Sequence, residues 1–150
     1  MTTLNLPAFD ARVRGSREKP EIFDFLRRRY VALTPEEWVR QCFTHFLVDH
    51  KGYPASLMAN EVEVRLGEKR MRCDTVLYDA TARPRMIIEY KAPSVNIHVE
   101  HVFHQIYTYN LMLHVNYLVV SNGRQHYCCH MDYAHNSHTF LHDLPDYQEL

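Results

Sequence analysis

Three observations predict an α/β fold, a mixed α+β sheet with helices packed on it. They are a capped amphipathic helix, a run of three strand-patterned segments, and a second helix followed by a hairpin. The first helix has the sharpest start. Thr34-Pro35-Glu36-Glu37 offers an N-cap hydroxyl, a proline at the first helical position and an acid at N3, the pattern of a capping box. Trp38, Cys42, Phe43, Phe46 and Leu47 recur at helical spacing, so the helix is expected from Pro35 to about His50. Lys51-Gly52-Tyr53-Pro54 ends it.

Ahead of this helix the chain is polar and mixed, with Phe9 to Arg14 expected as a short strand and Glu21 to Val31 (EIFDFLRRRYV) as a short helix. Behind it, Leu57 to Leu66 alternates through Val62 and Val64, and Gly67-Glu68 makes a turn. Met71 to Tyr78 is the second strand of the meander, and Arg85 to Lys91, with its apolar run Met86-Ile87-Ile88, the third. Val99 to Leu113 reads as a helix and Asn116 to Ser121 as a buried strand. Asn122-Gly123 is a hairpin signal leading into Gln125 to Met131.

Composition bounds the possibilities. The chain has 150 residues, 46% hydrophobic and 23% charged, which suits one domain over 1–150 with a core of about 20–131. It contains no run of eighteen apolar residues, which argues against a helical membrane span. The start MTTLNLPAFDARVRG lacks a basic-then-apolar leader, so a cytoplasmic location is the expectation. Cys42, Cys73, Cys128 and Cys129 show no Cys-x-x-Cys spacing and are expected as buried reduced thiols. The net charge is −1, yet Arg12, Arg14, Arg17 and Lys19, then Arg27 to Arg29, then Arg65, Lys69, Arg70 and Arg72 gather locally. Such clusters make either a positive face or ordinary solvated surface.

The chemistry concentrates on the third meander strand. Strand side chains alternate, so Glu89 and Lys91 share a face, roughly 6.6 Å apart along the strand. Asp74, on the preceding strand, comes beside Glu89 in a suitable register. Two carboxylates forced together repel, and a divalent cation such as Mg²⁺ resolves the repulsion with oxygen ligands. Lys91 beside them would orient the attacking water or steady charge on a phosphate. On spacing alone, a Glu89–Lys91 ion pair on a solvated face with Asp74 closing a turn is an equal reading.

Asp74, fourteen residues and then Glu89-Tyr90-Lys91 on adjacent strands resembles the PD-(D/E)xK nuclease superfamily. The chain more specifically resembles the N-terminal nuclease domain of the restriction (R) subunit of type I restriction enzymes. Thr34 to Gln41, Cys73-Asp74, Ile88 to Pro93 and Tyr117 to Gly123 carry that resemblance, which spans roughly Pro20 to Met131. It implies Asp74 and Glu89 as metal ligands, Lys91 as the catalytic lysine, and Mg²⁺ (or Mn²⁺ in its place) as cofactor. It also implies an acid from the first core helix, for which Glu37 is the match; capping competes for that carboxylate. A Gln-x-x-x-Tyr element implies catalytic roles for Gln105 and Tyr109, one helical turn apart on one face. Cys73 stands where the superfamily usually has proline.

The implied function is a metal-dependent DNA endonuclease domain of R-subunit type. The alternative is a catalytically silent nucleic-acid-binding or regulatory module of the same fold. Expected partners are DNA, other restriction-modification subunits and a second copy in a homodimer; no membrane is expected. The chain has no Gly-x-x-x-x-Gly-Lys-[Ser/Thr] loop, so a complete ATP-driven restriction subunit is not expected. Eleven histidines raise zinc, but His98, His101 and His104, and the late cluster Cys128, Cys129, His130, His135 and His138, form no clean four-ligand set. His98 and His101 follow closely on Lys91, where a DNA-phosphate contact and a solvated face are the two alternatives.

Overall fold

The computed structural model describes residues 3–150, the side chains of Leu66, Phe103, Ile106 and residues 109–112 excepted. The first departure from expectation comes at once. Glu21 to Val31 is a hairpin, not a helix: β1 (Val13–Gly15), β2 (Pro20–Asp24) and β3 (Arg29–Ala32) make a three-stranded antiparallel sheet. The strand expected over Phe9 to Arg14 is confined to β1. The physical reason lies in Asp24. Its Oδ1 accepts the Leu26 N–H at 2.9 Å, an Asx turn, and Arg28 completes the reversal at φ 54. No N-capping side chain precedes Glu21, whereas Ile22 and Asp24 bury at strand period.

Helix α1 (Pro35–Lys51) begins as expected. Thr34 Oγ1 accepts the Glu37 N–H at 3.0 Å, and Gly52 ends the helix in the left-handed region at φ 74. Only half of the capping box forms, because the Thr34 N–H donates to Ala32 O at 3.2 Å while the Glu37 carboxylate turns elsewhere.

The main sheet has six strands in sequence order: β4 (Met58–Leu66), β5 (Lys69–Tyr78), β6 (Pro84–Tyr90), β7 (Tyr117–Ser121), β8 (His126–Asp132) and β9 (Ser137–Leu141). All neighbours are antiparallel except β6 and β7, which helix α2 (Val99–Leu113) joins as a parallel crossover. β9 was not expected from sequence; it is a largely exposed edge with no clear alternation.

Two buried clusters lie on opposite faces of this sheet. Val39, Phe43 and Leu47 of α1 pack with Leu77, Met86, Ile88 and Tyr90, and Val102 of α2 packs with Cys73, Val76, Ile87 and Val120. All four cysteines are free and buried, as expected, and burial pushes the Cys73 thiol up to about 11. Among the described residues no helix is long and apolar enough to cross a membrane.

One local irregularity positions the site. Asn60 pairs with Thr75, and Val62 with Cys73, in an unbroken register between β4 and β5. Yet Thr75 bonds to Asn60 and to Tyr90 of the α1-side cluster, whereas Val62 and Cys73 belong to the α2-side cluster. Residues two apart on one strand should share a face. Both strands therefore switch faces together at Glu61 and Asp74, where Glu61 sits at φ 56, a strained conformation for a long side chain.

Candidate active site

The switch aims the Asp74 carboxylate toward the end of β6. Its Oδ2 accepts the Tyr90 N–H at 2.9 Å. Asp74 does not close a turn, which removes one element of the plain ion-pair reading. Glu89, on the α2 side with Ile87, points its Oε1 at Lys91 Nζ across 3.1 Å. Its Oε2 is buried and has no hydrogen-bond partner. The Lys91 N–H donates to Ser121 O at 2.9 Å, which fixes the lysine backbone to the neighbouring parallel strand.

The electrostatics follow from that placement. Burial raises the Asp74 carboxyl above its ordinary range; the Tyr90 N–H and the Arg40 charge only partly offset this. Burial likewise raises Glu89, Lys91 counteracts it, and Asp74 and Glu36 add repulsion. Two desolvated carboxylates influencing each other, one with an orphaned oxygen, are only partly compensated by Lys91 and Arg40. A divalent cation with oxygen ligands fits this donor set, and Asp74 and Glu89 are the residues that would hold it. Among the described residues no group of three or more His, Cys, Asp or Glu side chains converges as a preformed cage. A hard cation that keeps several waters does not require one.

The structure gives Glu37, expected as a third ligand, different work. Its Oε1 accepts from Arg27 at 2.6 Å, and its Oε2 accepts from Arg40 Nε and Gln41 Nε2, each at 3.0 Å. These three donors take up most of the roughly four acceptor positions of the carboxylate and tie it to α1 and to the turn between β2 and β3. The α1 acid that acts electrostatically on Glu89 is the preceding residue, exposed Glu36. Sequence reasoning passed over Glu36 because both acids lie in the first turn and the N3 position drew the capping assignment.

Arg40 was also missed. Buried within α1, it donates to Glu37, to Glu61 Oε1 at 2.6 Å and to the Asp74 backbone carbonyl at 2.7 Å. Its sequence signal was a lone arginine between the apolar positions Trp38 and Cys42, where an unpaired charge would be costly.

Gln105 is half-buried on α2 and lines the same cavity of about 280 Å³ as Lys91, so these two expected site residues face one space. The Tyr109 side chain lies outside the described residues. His98, His101 and His104 line the same cavity.

With this geometry in place, comparison with known proteins gives a consistent result. A family model described as type I restriction enzyme R protein N terminus matches residues 35–145. A solved fragment assigned as an HsdR subunit of a type I restriction enzyme from Vibrio vulnificus YJ016 superposes with a TM-score of 0.54 at 19% identity. The superposition covers 79% of this chain and 24% of that one, so the chain spans about a quarter of that protein's length. At this identity the likeness concerns the fold. No curated protein matches the chain.

Proposed function

Because the chain belongs to the type I restriction enzyme R protein N-terminal family, we propose that it is a Mg²⁺-dependent DNA endonuclease domain of PD-(D/E)xK type. The observation that carries this is the buried, unpartnered Oε2 of Glu89 beside Asp74 and Lys91. An orphaned carboxylate oxygen in a family fold is costly unless something binds it.

A bound Mg²⁺ supplies charge that offsets the carboxylates and polarises a phosphoryl oxygen. The chain's own groups do the rest. Asp74 is held by the Tyr90 N–H, and its backbone by Arg40, so its free oxygen keeps one direction. The β7 anchor at Ser121 holds Lys91, and its ammonium can exchange Glu89 for a water or a phosphate oxygen at the cavity mouth. Gln105, which lines the same cavity, offers an amide donor to that space. DNA and other restriction-modification subunits are the partners this reading implies.

A second reading, a nucleic-acid-binding module without catalysis, draws on the ion pair between Lys91 and Oε1 of Glu89. A plasmid-nicking assay with Mg²⁺ or Mn²⁺ separates the two. Nicking by wild type that Lys91→Ala abolishes supports the nuclease. DNA binding with no nicking under either metal rejects it in favour of the binding module.

A further inference from the structure

We propose that the cavity between Lys91 and α2 is a subsite for the DNA strand flanking the cleaved bond, in which His98, His101 and His104 donate to its phosphates. The inference rests on the nuclease reading for the identity of the strand. The argument for an anion-accepting subsite comes from the cavity itself.

His98 is the N-cap residue just ahead of α2, and His101 and His104, three residues apart, are neighbours on its first turns. All three are exposed, and all three line the cavity of about 280 Å³ that Lys91 and Gln105 also line. Val102 and Val120, nearly fully buried, form its floor. No carboxylate stands among the described residues lining it, so its polar rim is ammonium, amide and imidazole. Such a rim supplies N–H donors to an oxyanion and sets no carboxylate against it.

The histidines are not built as metal ligands, for no such group converges among the described residues. They are not buried for packing either. The rings of His98 and His101 meet edge to face at 5.6 Å. The backbone approach to them is fixed as well. Asn122 Nδ2 donates to Val95 O at 2.8 Å, and the Val95 N–H to Ala92 O at 2.9 Å, which ties the segment after Lys91 to the β7–β8 turn. His98, at the N-cap position, makes no capping hydrogen bond through its side chain, which leaves the ring free to turn toward the cavity. A strand whose reacting phosphate lies at Asp74 and Glu89 would run past Lys91 and into the cavity these histidines line.

The test uses the full chain and a fluorescent 30-base-pair DNA duplex. Affinity is measured by anisotropy with Ca²⁺ in place of Mg²⁺, and KM and kcat by nicking with Mg²⁺. His98→Ala/His101→Ala is expected to weaken binding and raise KM about tenfold, with kcat within about threefold of wild type. His98→Asn/His101→Gln, which keeps N–H donors, is expected to recover most of the loss. Unchanged Kd and KM in the double alanine variant would overturn the subsite. If wild type binds the duplex and never nicks it, the nuclease reading falls while the anisotropy series still decides the subsite. Thermal melting of each variant at the wild-type temperature excludes misfolding as the cause.

Discussion

Two sets of acids sit a few residues apart in this fold, and their surroundings are opposite. Asp24, Glu37 and Glu61 are embraced by donors: Arg27 and Asn60 on Asp24, Arg27, Arg40 and Gln41 on Glu37, and Arg40 and Arg72 on Glu61. Burial alone would raise Asp24 and Glu61, but these partners hold both carboxyls below their ordinary range. Asp74 and Glu89 are also buried, have fewer donors, and end above it. A fold that satisfies one set fully can satisfy acids, so the deficit at the other set is a property of the site. The saturated set holds the scaffold. The deficient set has capacity left for a ligand.

The widest separation between the two sets should appear in catalysis. Lys91→Ala is expected to lower the nicking rate by about 10²–10⁴-fold, far more than the modest fall in melting temperature that comes from leaving Glu89 without its ammonium partner. An equal rate in wild type and variant would place both sets in the scaffold. Stability should show the reverse pattern. Arg40→Met is expected to cost about 3 kcal/mol in urea unfolding, toward the low end for breaking a buried pair, because Arg27 and Gln41 remain on Glu37.

Metal should act on one set alone. Mg²⁺ at about a hundred times its dissociation constant is expected to stabilise wild type by about 2.7 kcal/mol. That is a rise of roughly 5–10 °C by calorimetry, and Glu89→Gln should abolish it. A full rise in Glu89→Gln would move the metal elsewhere.

The smallest effect is the most diagnostic of the contrast. Glu89→Gln without metal is expected to stabilise the fold at pH 7 by about 1 kcal/mol, since it removes a desolvated charge. The two sets also respond to pH with opposite sign. Asp24 and Glu61, held low, contribute stability above the unfolded carboxyl pKa near about 4, and that stability is lost as pH falls through their folded values. Asp74 and Glu89, held high, impose a penalty above their folded values that is relieved as pH falls toward about 4. Urea unfolding across pH should therefore lose the Glu89 share of its gain on mild acidification in Glu89→Gln, and its acid limb should become less steep in Asp24→Asn, with Asp74 and Glu61 still contributing.

Much of this was legible in the chain. Thr34-Pro35 and Gly52 marked α1 because caps are local chemistry, and period two marked the meander because each strand has a buried face. The Glu89–Lys91 face followed from alternation alone. What was hidden depends on contacts remote in sequence. EIFDFLRRRYV looked helical until Asp24 met Asn60 and Arg27, and the contacts of Glu37 with Arg27 and Arg40 were likewise hidden. Arg40 joins residues more than thirty positions apart, which no window along the chain could reveal.

The coordinated face switch at Glu61 and Asp74 also constrains how the chain can change length. Deleting one residue of β4 at Glu61 would realign Val62 and Val64 against β5 with the wrong parity and turn apolar side chains away from the α2-side cluster. A matching deletion in β5 would be needed to restore the pairing, and it would remove Asp74. At the Gly67 turn, where the hairpin tip is exposed and a Cβ would meet nothing, an insertion is absorbed by the loop. The meander should therefore tolerate length changes at its tip and none at its waist.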